Sequence, residues 1–265
     1  MVYRIKGECK MSDLEKAIQY LKEYNQIKKD IKHNDFQTFR SLMNITMPFD
    51  LSHTYYELQD RILQDELHKK QITDVKQLNP MIDNICLFKG DITTIQTDAI
   101  VNACNSHLLG CFTPLHSCID NAIHSFAGLQ VRRDLIEIMS KQGIQEPNGM
   151  AKITKGYNLP CQYILHTVGP IVKKVVTKQN ELDLANCYLS CLKLAEEYKL
   201  KNITFCSIAT GLYGYPIQDA SVIALTTIRK YFREHSNSGI QKVIINVFTE
   251  GDLNVYKRTI TTMAK

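Results

Sequence analysis

Two cysteines and a histidine lie close together in the segment VNACNSHLLGCFTPLHSCIDNAIH, residues 101–124. Cys111, His116 and Cys118 would supply two thiolates and an imidazole, a soft set of ligands that suits zinc. Their spacing differs from that of a zinc finger built from paired C-x-x-C motifs. Three protein ligands with one open position are typical of a catalytic zinc, whereas a structural zinc usually has four. The alternative is that these are isolated cysteines and a turn histidine.

Two further loops place polar or small residues directly after apolar runs. KGDIT, residues 89–93, follows the run ICLF and contains Asp91, but taken alone it predicts only a turn. SIATGLYGYP, residues 207–216, ends the run ITFCSI, and its small residues would let backbone amides approach a phosphate closely. It lacks both the lysine of a P-loop and the G-x-G-x-x-G fingerprint. A diphosphate site and a flexible turn both stay open for this loop.

The other histidines, asparagines and cysteines carry weaker signals. His107 could compete as a metal ligand, whereas we expect His124 to pack or to cap a helix and His166 to be a core histidine. Asn102 and Asn105 follow a strand, where they would cap a turn or bind the vicinal hydroxyls of a ribose. Inert buried thiols are predicted in apolar strands and helix faces at Cys86, Cys161, Cys187, Cys191 and Cys206.

The chain before residue 79 is predicted to be helical. Ser12 and Glu15 form a possible capping box ahead of apolar residues at helical spacing. The segments NDFQTFRSLM and SHTYYELQDRILQDELHKKQ are amphipathic as well. VKQLNPMIDN then supplies a proline and polar residues without periodicity, which predicts a linker.

From Ile85 onward, short β-branched runs alternate with helical segments, a pattern typical of an α/β sandwich. Predicted helices lie near 119–141, 180–199 and 219–234, with one more at the C-terminus. Because AIVNA, ITFCSI and VIINVF are too apolar for strands with a wet face, helices should cover both faces of the sheet. A ligand would then bind in the loops beyond the carboxyl ends of the strands.

Composition narrows the class of protein. A chain of 265 residues with 44% hydrophobic content can form one large domain or a domain with an appendage. The sequence has neither an apolar stretch typical of a signal peptide nor an apolar run of membrane-spanning length, and its nine cysteines suggest reduced thiols. We therefore expect a cytoplasmic protein that does not enter a membrane. The formal charge of +5 comes from scattered lysines, so nucleic-acid binding is not predicted.

The motifs GDIT, VNACN, GCFTPLHSCIDNAIH and SIATGLYGYP, in this order, resemble a macrodomain, the ADP-ribose-binding α/β module. The resemblance covers residues from about 80 to 265. Cys111, His116 and Cys118 stand where ordinary macrodomains have a glycine-rich loop, and this is similar to the zinc-dependent branch of the family, whose members have a helical N-terminal extension. The resemblance implies a three-layer α/β/α sandwich with a mixed central sheet at 79–265. A small all-helical extension would occupy residues 1–78.

The resemblance also implies roles for individual residues. Asp91 would accept the adenine amino group beside the backbone of Ile92, Asn105 would hold the distal ribose, and Phe248 would lie against adenine. Cys104 departs from the family pattern, which has alanine there. Backbone amides would wrap the diphosphate in a loop that includes Ser207, Thr210, Gly211, Leu212 and Tyr213.

The function implied by the resemblance is a zinc-dependent hydrolase that removes mono-ADP-ribose from modified proteins, with an ester on an acidic side chain as the expected linkage. One zinc ion would be held by the Cys-His-Cys triplet. Asp120 would orient a water molecule or a ribose hydroxyl, although capping of the next helix explains it equally well. A lipoylated carrier protein and a sirtuin-like ADP-ribosyltransferase are implied partners. The alternative is a non-catalytic ADP-ribose reader with a structural zinc.

Overall fold

The computed structural model describes residues 11–28 and 33–264, so the first ten residues of the predicted extension lie outside the described residues. Within these ranges no helix is both long and apolar enough to cross a membrane. The helices are α1 (Asp13–Tyr24), α2 (Phe36–Ile45), α3 (His53–His68), α4 (Ile119–Ala127), α5 (Leu129–Gln142), α6 (Lys178–Glu197), α7 (Ile217–Glu234) and α8 (Glu250–Met263). The strands are β1 (Thr73–Asp74), β2 (Ile85–Lys89), β3 (Ile95–Ala103), β4 (Ala151–Lys155), β5 (Cys161–Thr167), β6 (Asn202–Phe205) and β7 (Lys242–Val247).

Helices α1 to α3 form the helical extension, as the sequence predicts. Ser12 and Glu15 make the predicted capping box at the start of α1, and Asp35 and Ser52 cap α2 and α3. Each cap satisfies a backbone N–H group that has no partner inside its helix. The three helices share a small core to which Leu129 of α5 also belongs. The extension therefore packs on the rest of the chain through a common apolar contact. Its predicted boundary after residue 78 stays a prediction.

Strands β2 to β7 form one mixed sheet in the order β2-β7-β6-β3-β5-β4, and the short strand β1 pairs with the start of β3. All pairs are parallel except β4 with β5. Strands β3, β6 and β7 are buried along most of their length because helices cover both faces. The predicted α/β sandwich is confirmed.

Chain direction explains which helices share a layer. The connections β5-α6-β6 and β6-α7-β7 run toward the β2 edge of the sheet, whereas the connection from β3 through α4 and α5 to β5 runs the other way. Right-handed crossovers then place α6 and α7 on one face and α4 and α5 on the opposite face. Helix α2 packs against α4, so the helical extension lies beside the second of these layers.

One local prediction was wrong. The single helix expected near 119–141 is two helices, because Gly128 between them has φ +100° and ψ 169°, a region that is almost exclusive to glycine. The linker predicted at 75–84 begins with the short 3₁₀ turn Val75–Gln77 and buries Val75. The two residues of strand β1, just before this turn, show no sequence pattern that predicts a strand.

Replacement of Gly128 by alanine should destabilise the fold by about 2–3 kcal/mol, because the backbone conformation is strained for any L side chain. A Cβ there would also lie 2.5 Å from Nε2 of Gln59. Urea unfolding measures the loss. Gly239→Ala is the matched control, since a Cβ at Gly239 would meet only Glu196 Oε2 at 3.6 Å. Equal stability of the two variants would contradict this explanation of the helix break.

Candidate functional site

The loops that follow β2, β3, β6 and β7 meet at one end of the sheet, because these strands are parallel and their carboxyl ends share an edge. Asp91, Asn105, Ser207 and Phe248 follow these four strands in that order. Contacts tie the loops together: the Gly90 amide donates to the Val247 carbonyl (3.1 Å). The Tyr213 hydroxyl lies 3.5 Å from the carbonyl oxygen of Cys104. The four loops bring most of the predicted binding residues to this end of the sheet, and the surface between the loops is named here the cleft.

The segment 110–118, named here the metal loop, brings the predicted zinc ligands together. The ligand atoms of Cys111, His116 and Cys118 all lie within 4.8 Å of one another. Nδ1 of His116 is buried and has no hydrogen-bond partner. A buried imidazole nitrogen without a partner is costly unless something binds it, and the two sulfurs beside it form a soft donor set. These residues fit a zinc ion.

The ligand set would differ if a fourth ligand lay near the triplet or if His107 took part. Within residues 11–28 and 33–264, no fourth ligand, whether a histidine, a cysteine or a carboxylate, belongs to the group. His107 is exposed and its Nε2 faces the side-chain amide of Gln145 at 3.2 Å, so it does not compete. The part of the chain that the structure describes therefore provides the three-ligand pattern rather than the four-ligand pattern of a closed structural site.

Cys118 has a second structural role that sequence spacing did not indicate. It is the N-cap residue of α4, and its Sγ accepts a hydrogen bond from the amide of Asn121 at 3.4 Å. Burial raises the pKa of the Cys118 thiol to about 11. A bound divalent cation would favour the thiolate at neutral pH. The helix start thus fixes the position of one candidate ligand.

Asp120 does not cap the helix, since Cys118 does. Its buried carboxylate accepts a hydrogen bond from the Asn102 amide at 2.9 Å and lies 3.5 Å from Nε2 of His124. Burial raises the pKa of Asp120 to about 6, although the Asn102 bond and the Arg132 charge act in the opposite direction. Burial holds the pKa of His124 well below its ordinary value, so that ring is neutral. Asp120 is therefore a weaker acid than an exposed aspartate.

Asn102 and His166 form the buried floor of the site. The Asn102 amide lies 3.2 Å from Nδ1 of His166, and Nε2 of that ring lies 2.9 Å from the hydroxyl of Thr154. His166 is the satisfied core histidine that the sequence predicts. Because Asn102 is fully buried, it is not available to ribose hydroxyls, and of the asparagine pair only Asn105 keeps that predicted role.

Asp91 is held by its own turn and by the helical extension. Its Oδ1 accepts hydrogen bonds from the amide (2.9 Å) and the hydroxyl (2.7 Å) of Thr93. Its Oδ2 lies 3.2 Å from the ammonium of Lys70, just after α3. Partial burial alone would raise the pKa of Asp91, but these bonds outweigh it and hold the pKa below its ordinary value. An ionised acceptor therefore faces the cleft.

The exposed members of the predicted binding set lie at the rim of the cleft. Leu212 and Phe248 are 77% and 78% exposed. Thr210 donates to the carbonyl of Ser207 at 3.0 Å, which shapes the turn. The side chain of Asn105 donates to the Gly110 carbonyl at 3.1 Å and so anchors the start of the metal loop. Ile92 is buried and Gly211 is exposed.

Sequence reasoning missed the residues that support the metal loop from behind. Arg132 of α5 is 1% exposed and donates to the carbonyl of Leu109 at 2.7 Å. Asn44 of α2 accepts from the amide of Leu115 at 2.9 Å. An asparagine inside the apolar stretch SLMNIT was a usable signal for Asn44. The sequence gives no such signal for Arg132, because nothing in it distinguishes this arginine from its exposed neighbour Arg133.

Comparisons with known proteins agree with this geometry. A family model for the macro domain matches residues 101–224. The protein-ADP-ribose hydrolase of Staphylococcus aureus is 47% identical over 232 residues, 87% of this chain and 86% of that protein. The chain belongs to the macrodomain family. The protein-ADP-ribose hydrolase of Treponema medium is 43% identical over 226 residues, 84% of this macrodomain chain and 86% of its own.

A solved structure supports the same fold. The Trypanosoma brucei macrodomain in complex with ADP-ribose is 30% identical to this macrodomain and superposes with a TM-score of 0.63. The match covers 83% of this chain and 94% of that one. The three-layer macrodomain fold predicted from the motifs is therefore confirmed.

His166 should make the stability of this macrodomain sensitive to acid. Burial lowers the pKa of His166 to about 3, whereas a histidine in the unfolded chain titrates near its ordinary value of about 6.5. The unfolded state therefore binds the proton first, and stability falls as the pH drops below about 6.5. In urea unfolding, His166→Gln should reduce the stability difference between pH 7 and pH 5 by about 2 kcal/mol. An unchanged difference would contradict the neutral, buried histidine.

Proposed function

We propose that this macrodomain is a zinc-dependent hydrolase that removes mono-ADP-ribose from acidic side chains of modified proteins. The supporting observation is the meeting of Cys111, His116 and Cys118, whose ligand atoms lie within 4.8 Å of one another beside the cleft. The relatives from Staphylococcus aureus and Treponema medium are named protein-ADP-ribose hydrolases. A domain that only reads ADP-ribose would need the cleft but would have no use for an open metal position.

The cleft has a partner for each part of ADP-ribose. The ionised Asp91 would accept from the adenine amino group, and the exposed ring of Phe248 would cover one face of the base. The backbone amides of the 207–216 loop would bind the diphosphate, as that loop carries no cationic side chain. Asn105, at the start of the metal loop, would bind the distal ribose.

The reaction would occur at the distal ribose. In hydrolysis of the ester, water adds across the bond between the ribose C1″ and the acceptor oxygen, which releases ADP-ribose and the free carboxyl group. Asp120 is buried next to Cys118 and its pKa is about 6, so it would be largely ionised at neutral pH. We infer that Asp120 orients a water molecule or a ribose hydroxyl through the Asn102 network rather than by direct exposure to solvent.

The proposed zinc would supply a Lewis acid that polarises a substrate oxygen or a water molecule. Cys111 and Cys118, as thiolates, already neutralise the charge of a dication. Substrate positioning is therefore the main role that we assign to the metal loop. The same loop carries the exposed side chains of Phe112 and Leu115, which would face the acceptor protein.

The acceptor and the partner proteins belong to the proposal as well. We propose a lipoylated carrier protein as the modified acceptor and a sirtuin-like ADP-ribosyltransferase as the enzyme that modifies it. Release should be measured on acceptors modified at acidic, serine and arginine side chains in parallel. We expect release from the acidic linkage, and release from arginine alone would contradict the assigned linkage.

Removal of the proposed metal should abolish release of ADP-ribose. Cys118→Ala should purify without zinc and should lose release from a mono-ADP-ribosylated acceptor, because two ligands do not hold the ion. Metal content by elemental analysis and released ADP-ribose by chromatography are the two measurements. Cys161→Ala, at the opposite end of β5 from the cleft, is the control and should keep both zinc and activity.

Two outcomes would contradict the zinc-dependent hydrolase. Equal release by wild type, Cys118→Ala and chelator-treated protein would remove zinc from the mechanism. Tight ADP-ribose binding by zinc-loaded wild type without any release would instead favour the reader with a structural zinc.

Asp91→Ala should weaken ADP-ribose binding by about 1–3 kcal/mol, because the adenine amino group would lose a charged acceptor. Isothermal calorimetry with ADP-ribose measures this loss. Asp74→Ala is the matched control, since Asp74 caps the 3₁₀ turn Val75–Gln77 as Asp91 caps Ile92–Thr94. Equal affinities of the two variants would show that Asp91 acts only as a cap.

A further inference from the structure

The metal loop follows a path that its own sequence does not favour. Leu115, at its tip, has φ +55°, a left-handed conformation that disfavours leucine. Gly110, at its start, has φ +84°, and a Cβ there would lie 2.8 Å from Nδ1 of His124. Such conformations persist only where surrounding groups hold them. The contacts that hold this loop come from α4 and α5 and, at its tip, from the helical extension.

Asn44 of α2 makes the most direct of these contacts. Its side-chain oxygen accepts from the amide of Leu115 at 2.9 Å, one residue before His116. Its side-chain nitrogen donates to the hydroxyl of Ser125 in α4 at 2.9 Å. Asn44 is only 1% exposed, so both bonds are sheltered from water. One buried amide thus connects the tip of the metal loop to the helix that Cys118 caps.

Arg132 holds the start of the loop against the same helix. Its Nε donates to the carbonyl of Leu109 at 2.7 Å, and its guanidinium lies 4.4 Å from the centre of the Phe112 ring. Its Nη1 donates to the carbonyls of Met43 (2.9 Å) and Thr46 (2.6 Å) at the end of α2. A cation at that position also suits the helix dipole.

Arg40 reaches the middle of the loop through one intermediate. Its Nη2 donates to the side-chain oxygen of Asn121 at 3.3 Å, and the side-chain nitrogen of Asn121 donates to the carbonyl of Thr113 at 3.0 Å. The backbone amide of Asn121 binds the Cys118 sulfur. Helix α2 therefore contacts the tip of the loop directly through Asn44, and it is connected to the start and the middle through Arg132 of α5 and Asn121 of α4.

We propose that helix α2 of the helical extension is a structural part of the metal site, and that Asn44 is the positioning residue that sets His116 against Cys111 and Cys118. This inference rests on the zinc site of the proposed function. Zinc binding and the contact of Asn44 with the metal loop are then thermodynamically linked, so that each favours the other. The extension serves the site without supplying a ligand from its described residues.

Zinc affinity of Asn44→Ala, measured by competition with a chromophoric chelator on the full chain, tests this inference. We expect a loss of about 10-fold or more, as for other groups that orient metal ligands. The rise in melting temperature on addition of Zn²⁺ should shrink accordingly.

Gln59→Ala is the matched control. Gln59 of α3 is also fully buried, and its side-chain oxygen also accepts from a backbone amide outside the extension, that of Leu129 at 2.9 Å. This variant loses the same kind of contact, but its hydrogen-bond partners outside the extension lie in α5 and not in the metal loop. We expect its zinc affinity to stay within about twofold of wild type, even where its melting temperature falls.

The outcomes separate this inference from the proposed function. Wild-type affinity in Asn44→Ala, or an equal loss in both variants, would overturn the positioning role while zinc binding itself stands. A wild-type protein that binds no zinc would overturn both. If Asn44→Ala does not fold, the half-buried Arg40→Gln replaces it, with an expected loss of about threefold and the same two contrary results.

Discussion

The buried guanidinium of Arg132 is the constraint on which the arrangement of the site depends. Burial lowers its pKa to about 10, while Asp120 and Cys111 favour the charged form, so it stays protonated at neutral pH. A buried charge is costly to leave unpaired. Three carbonyl oxygens and the Phe112 ring surround it. These partners come from the helical extension and from the segment that enters the metal loop. Hydrogen bonding to one cation therefore holds together two parts of the chain that are distant in sequence.

This constraint makes the extension and the macrodomain mutually dependent. Binding loops usually depend on the scaffold from which they emerge, but here the metal loop emerges from β3 and is held by α2, which lies outside the sheet. The extension also reaches the proposed adenine site, where the Lys70 ammonium lies 3.5 Å from the centre of the Phe126 ring and contacts Asp91. The contacts at both ends of the proposed ADP-ribose site therefore depend on docking of the extension.

The parts of the structure that depend on local pattern could be predicted. Caps such as Ser12 and apolar runs such as VIINVF predicted the helices and the buried strands, because they reflect neighbouring residues alone. The spacing of Cys111, His116 and Cys118 predicted their clustering for the same reason. The break at Gly128 could not be predicted, since apolar periodicity continues on both sides and only the backbone angle shows it. Arg132 and Arg133 are adjacent arginines, and only tertiary packing buries the first.

The charges of the cleft are consistent with the proposed ligand. ADP-ribose carries two negative charges on its diphosphate, and the cleft already contains the carboxylates of Asp91 and Asp120. The 207–216 loop has no lysine or arginine, so backbone amides must carry most of the diphosphate binding there. Lys70 offsets the charge of Asp91, whereas burial outweighs the attraction of Arg132 and raises the pKa of Asp120 to about 6. Because Lys70 forms an ion pair with Asp91, a dianion that enters near Asp91 meets a carboxylate whose charge is already offset. The helical extension supplies the first of these cations, so it contributes to anion binding as well as to loop geometry.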